Sequence, residues 1–294
     1  MSDLGRPSAL EALMVVPAFW ERDDDLAPLS APGQPRVREV ALAEFSVELV
    51  THTWRAPLPG AALFDPTMFT DVGILVQLLG LGRRLARFDE GLQGALPDRL
   101  CAAFAEGLGT RGVAVRPVAE VRACRTYDGY EAAARGSSSL ARLLNPVGHD
   151  TGRIRSFEVL PATGLPVIEG AAGGQTLEEV DAALLGETGA DMVVRVRLRV
   201  GVYEGRASVE RGSEVHVTHA AGRGRVTSGR SITSDEEVAV AGFLPVRGIA
   251  YEVDGAAYLA AMDALFPVYR ELALDALGLP KRPAAATSGE EVER

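Results

Sequence analysis

Residues 191–203 read DMVVRVRLRVGVY. Val194, Val196, Leu198 and Val200 alternate with Arg195, Arg197 and Arg199, and a period of two places the two sets on opposite faces of an extended chain. The stretch predicts a strand with a buried apolar face and a wet cationic one. Arginines two apart on one face stand ~6.6 Å from each other, a stripe suited to a carboxylate-rich or phosphorylated partner. The competing expectation is pairing across the sheet with Glu210 and Glu214 of the next strand, each pair contributing roughly 0.2–1 kcal/mol. Arg195, Arg197, Arg199 and Tyr203 are therefore the candidate partner-binding residues.

Further strands are expected downstream over 207–217, 225–232, 237–246 and 249–253, separated by glycine-containing turns into a meander. Asp254 can then cap a long helix burying Tyr258, Met262, Leu265, Tyr269 and Leu272, kinked at Pro267 and stopped by Gly278 and Pro280. Upstream, Thr176 and Glu179 form a capping box for a helix with Leu177, Val180 and Leu184 on its core face. Residues 37–50 suit a strand with Phe45, Val47 and Leu49 opposed to Glu44, Ser46 and Glu48. An apolar helix is expected over 70–85, and another begins near Pro97 and Asp98, carries Leu100, Phe104 and Leu108, and stops at Gly109. A strand at Val113 and Val115 and a short helix over 118–124 follow.

The expected fold is α/β in the α+β sense: a central mixed sheet with helices packed on it, a strand-rich C-terminal half and a long closing helix. Residues 1–36 read as an N-terminal extension holding a short strand or helix. Residues 37–278 form one domain interrupted by an irregular insertion at 135–175 with one strand at 155–160, and 279–294 form a disordered acidic tail.

The net charge of −10 repels phosphate backbones and anionic lipid alike, so no nucleic-acid partner is expected. Lys281 is the only lysine and Asn145 the only asparagine, a bias that a GC-rich genome produces by itself, so arginine placement matters and arginine number does not. Cys101 and Cys124 are too few for a disulfide scaffold, and Cys101 sits in an apolar helical pattern. No run approaches the ~20 apolar residues of a membrane span. The acidic, proline-broken start lacks a signal peptide and a lipidation cysteine, which points to the cytoplasm as written, or to the periplasm if a leader was removed.

Catalytic motifs are missing. Ser137, Ser138 and Ser139 lie outside any G-x-S-x-G or Walker pattern, and the glycines at 222, 224 and 229 do not form a dinucleotide fingerprint. His216 and His219, three apart on a strand, face opposite ways and cannot share a metal; His52 and His149 are the only other histidines. The acidic pairs stand at connectors, a helix start and a turn. Tyr127, Tyr130, Tyr203 and Tyr251 could line a groove or sit half-buried in the sheet. No catalytic residue, metal or cofactor is assigned.

Residues 96–122, LPDRLCAAFAEGLGTRGVAVRPVAEVR, and 187–206, ETGADMVVRVRLRVGVYEGR, resemble a family of envelope domains. These include the curli-secretion lipoprotein, the amino-terminal domain of the Tol-Pal propeller protein and the penicillin-binding-protein activator lipoproteins. The likeness lies in a helix, glycine stop, strand and second helix, then a Gly-Ala-Asp turn leading into a long central strand. The chain departs from that family in lacking a lipidation cysteine, in the insertion at 135–175 and in its closing helix and tail. The resemblance implies a non-enzymatic binding or assembly accessory protein, envelope- or secretion-associated, meeting a protein partner or a second copy through a sheet face or strand edge. The alternative is a serine-dependent hydrolase or small-molecule-binding enzyme using the 135–150 segment, with Ser137 to Ser139, His149 and Asp150.

Overall fold

The computed structural model describes residues 20–22, 36–55, 83–132, 153–220, 222–244 and 248–279. In chain order these form β1 (Trp20–Arg22), β2 (Glu39–Arg55), β3 (Arg83–Arg87), α1 (Glu90–Thr110), β4 (Ala114–Val115), α2 (Val118–Arg122), a 3₁₀ turn (Arg125–Gly129) and β5 (Tyr130–Ala132). There follow β6 (Arg153–Pro161), β7 (Ile168–Ala171), α3 (Leu177–Thr188), β8 (Met192–Tyr203), β9 (Arg206–Val209), β10 (Glu214–His219), β11 (Gly222–Ser228), β12 (Ile232–Glu237), β13 (Ala239–Leu244), β14 (Gly248–Val253) and α4 (Gly255–Ala276). The fold is a central mixed sheet with helices packed on it and a long closing helix, as the sequence leads one to expect.

β8 is the spine. It runs parallel to β2, from Val40 against Met192 to Leu49 against Val200, and antiparallel to β10 on its other side. The β2–β8 register shifts between Leu42 and Glu44, so Ala43 and Glu44 lie on the same face, and Leu42 and Phe45 both face the first core. A bulge of this kind changes which way the following side chains point without breaking the strand. β6 and the short β4 pair with the opposite side of β2.

The apolar residues of β2 and β8 pack beneath α1 and α4. Leu96, Leu100, Phe104 and Leu108 of α1 and Tyr258, Met262, Phe266 and Tyr269 of α4 are all buried there, and Phe104 tilts against Phe45 with ring centroids 6.0 Å apart. Each such side chain contributes about 1.5–3 kcal/mol through burial. On α4 the buried position expected of Leu265 belongs to Phe266, with Leu265 only partly covered. The buried Arg111 guanidinium ties the two helices: it donates to the Leu279 carbonyl and pairs with Glu271 and Asp275, both at 2.7 Å. Leu279 thus belongs to the core rather than to a tail.

The sheet's second face is wet only in part. α2, the 3₁₀ turn, the antiparallel β5–β7 pair and α3 cover one end of it, around a smaller core of Ala41, Ala43, Val121, Tyr127, Tyr130, Ile168, Val180, Leu184 and Val193. The capping box starts α3 as its sequence requires: the Thr176 hydroxyl accepts from the Glu179 N–H and the Glu179 carboxylate accepts from the Thr176 N–H. Asp254 likewise caps α4 through the Ala257 N–H.

Two other expectations change. Residues 83–85, the end of the helix expected over 70–85, fall in strand β3, because β2 and β14 each offer it a hydrogen-bonding edge; residues 70–82 lie outside the described chain. Within 135–175, β6 matches the expected strand, while β7, Ala162 and Leu165 also belong to the folded body. Residues 133–152 are outside the described residues.

At the far end of β8 the sheet divides into two branches that only the chain itself rejoins. β8 turns into β9 through Glu204 and Gly205, whose φ values of 51° and 82° are those of a two-residue hairpin turn that favours glycine. β9 pairs with β12, Val238 alone separates β12 from β13, β13 pairs with β14, β14 with β3, and β3 with β2. Gly201 stands where β8 and β2 part, and a Cβ there would come within 2.9 Å of Val50.

Tyr127, Tyr130, Tyr258 and Tyr269 are all buried, and burial pushes each phenol above its usual range, Tyr127 up to about 12. An unfolded tyrosine ionises near pH 10, so the stability these phenols contribute is complete below that pH and is lost as the pH rises toward and past 12. Tyr127 alone accounts for about 2–3 kcal/mol. Alkaline titration followed by tyrosinate absorbance and circular dichroism is expected to show these tyrosines ionising together with unfolding. Ionisation of all six tyrosines near pH 10 with the fold intact would contradict the burial of these four.

Candidate functional site: a charge ladder and an open strand edge

The parallel register brings residues 44–48, EFSVE, alongside residues 195–199, RVRLR, with Glu44, Ser46 and Glu48 opposite the three arginines. Each guanidinium meets one carboxylate. Arg195 donates through Nε and Nη2 to Asp181 of α3 at 3.2 and 3.0 Å, and Asp181 also accepts from the Tyr130 hydroxyl at 2.6 Å and from Thr218. The Nε of Arg197 donates to the fully buried Glu44 at 2.9 Å, and its Nη2 donates to the Ile168 carbonyl of β7. Arg199 meets Glu48 through Nε and Nη2 at 3.0 and 2.8 Å and lies 4.6 Å over the Phe157 ring.

The partners are therefore Asp181, Glu44 and Glu48, not Glu210 and Glu214. Glu210 turns to the hydroxyls of Ser208 and Ser231. Glu214 accepts from His216 at 3.1 Å and Arg225 at 3.4 Å. Burial opposes its ionisation, yet the His216 ring and the Arg225 and Arg197 guanidiniums outweigh it and hold the carboxyl below its ordinary range. His216 and His219 face opposite sides of β10, His219 toward the side of Val215 and Val217. Tyr203 ends β8 partly exposed, beside a small recess of about 30 Å³ shared with Thr51, Thr53 and Arg84.

Asp181 and Tyr130 are the members of this network that the central strands do not announce, because helix α3 and the separate β5–β7 pair deliver them from outside the sheet. Glu44 and Glu48 had a usable signal, since their spacing mirrors that of the arginines with opposite sign. Among the described residues there is no group of three or more His, Cys, Asp or Glu arranged to hold a metal ion. Burial, helped by the Asp98 carboxylate, pushes the Cys101 thiol up to about 12, far from thiolate reactivity. Ser137 to Ser139, His149 and Asp150 lie outside the described residues.

Among the described residues, two features offer a surface to a partner. One is a cleft of about 260 Å³ between α3 and strands β8, β10 and β11, lined by Arg195, His216, Thr218, Arg223 and Arg225 with Glu178 and Asp181. The other is β13, an uncharged strand paired with β14, whose outer edge is held at its start by the Ala239 N–H donating to the Gly205 carbonyl at 3.1 Å, and on which Phe243 is 96% and Val240 77% exposed.

Removing one member of a buried ion pair strands the other, at a cost of about 3–5 kcal/mol, whereas replacing both by apolar groups is often near neutral. Asp181→Leu is expected to lose that much in urea unfolding, and Asp181→Leu with Arg195→Met to recover most of it. A single-variant loss under about 1 kcal/mol would contradict the burial of this pair. No protein-family model, curated protein or solved structure matches the chain.

Proposed function

We propose that this protein is a non-enzymatic assembly component that joins a second copy of itself edge to edge through β13. The observation that carries the reading is the pair of large apolar side chains, Val240 and Phe243, exposed on a strand without a charged residue. Natural sheets usually guard such an edge with lysine, proline, a bulge or a covering element, because its backbone groups template another strand. Past Ala239, whose N–H is taken by the Gly205 carbonyl, the uncharged edge from Val240 to Leu244 is suited to strand addition.

A second copy fits this edge in charge and in size. Antiparallel pairing about Ala241 sets Phe243 opposite Ala239 of the twin and Val240 opposite Gly242, a bulky side chain over a small one each time, and opposes no like charges. Two chains each of charge −10 repel at long range, so pairing through an uncharged strand should strengthen as salt screens that repulsion. The likeness of residues 96–122 and 187–206 to envelope domains supports an envelope- or secretion-associated setting.

Light scattering over a concentration series tests this. The wild-type chain is expected to pass from monomer to dimer, at lower concentration in higher salt, and Val240→Lys with Phe243→Lys to remain monomeric with unchanged circular dichroism. A wild-type chain that stays monomeric throughout, or a double variant that dimerises equally, would overturn the proposal.

A further inference from the structure

The cleft beside α3 lies toward the opposite end of β8 from β13, and its chemistry differs. The register of three neighbouring strands places Arg195 of β8, His216 of β10 and Arg225 of β11 side by side in one row across the sheet. The adjacent row carries Thr218 and Arg223. Strands lie about 4.8 Å apart, so these rows concentrate three guanidiniums, an imidazole and a hydroxyl over a patch only two strand spacings wide.

These groups differ in how firmly they are engaged. Arg195 is buried and fixed by two hydrogen bonds to Asp181, which makes it a rigid floor. Arg225 reaches Glu214 only at 3.4 Å with its side chain 46% exposed, and Arg223 is exposed beside Glu178. Exposed pairs of this length contribute little and exchange readily for a better acceptor. An anion with several oxygens offers that acceptor, because it can take parallel N–H bonds from two guanidiniums at once.

We infer that this cleft is a binding site for a small phosphate-bearing ligand. Arg223 and Arg225 grip the phosphate oxygens, and Arg195, fixed by Asp181, lies beneath them. A cleft of about 260 Å³ admits a phosphate with a small organic group attached rather than a large cofactor. An anionic ligand can be held here despite the chain's overall negative charge, because oriented guanidiniums in a recess act at short range.

Inorganic phosphate is the probe. Thermal unfolding is compared in phosphate and in sodium chloride of the same ionic strength, and affinity is measured by calorimetric titration. Phosphate is expected to raise the melting temperature of the full chain beyond chloride. Arg223→Ala with Arg225→Ala is expected to fold normally, since both side chains are exposed, and to bind phosphate at least about tenfold more weakly. Val240→Lys with Phe243→Lys is expected to keep the full phosphate response, which separates this site from the β13 edge. A phosphate effect no larger than that of chloride, or one that persists in the double arginine variant, would overturn the inference.

Discussion

The parallel pairing of β2 with β8 sets the rest of the structure, because its register decides which side chains meet on both faces at once. On one side it aligns Phe45, Val47 and Leu49 with Val196, Leu198 and Val200 beneath α1 and α4. On the other it brings Glu44 and Glu48 within reach of Arg197 and Arg199. A slip of one residue would turn arginines into the hydrocarbon core and valines into the carboxylates, and each unpaired buried charge would cost several kcal/mol. The ladder therefore specifies the register more than it adds net stability.

That register also determines how the second face is closed. Arg195 draws Asp181 and with it α3 onto the sheet, while Arg197 reaches the Ile168 carbonyl of β7. Tyr130 links β5 to the same Asp181, and the Tyr127 hydroxyl donates to the Ala43 carbonyl. The small layer of α2, the β5–β7 strand pair and α3 is thus held by polar contacts as well as by its apolar core. Cations that look from sequence like a docking stripe act first as internal fasteners, and the reachable cationic groups move one and two strands outward, to β10 and β11.

Local signals in the sequence were read correctly where the physics is local. The alternation over 194–200, the Thr176–Glu179 capping box and the Asp254 cap each depend on a few neighbouring residues, and each appears in the structure. What depended on distant pairing was harder to see. Nothing near Arg195 in the chain says that Asp181 will lie over it, and the shift at Ala43 that lets both Leu42 and Phe45 face the core leaves no mark in composition. Residues 83–87, RRLAR, favour a helix on their own and become a strand because β2 and β14 flank them. The openness of β13 is likewise a property of sheet order, since Val240 and Phe243 read like any other strand residues until the topology puts them at an edge.

The most direct test of the β2–β8 register is a double-mutant cycle at its rim, where Glu48 and Arg199 are partly accessible and tolerate exchange. Glu48→Arg and Arg199→Glu are each expected to destabilise the chain in urea unfolding, and the swapped double variant to regain part of the loss, with a coupling of roughly 1–3 kcal/mol. Losses that simply add would mean that the two side chains do not face each other, and the parallel register would have to be abandoned.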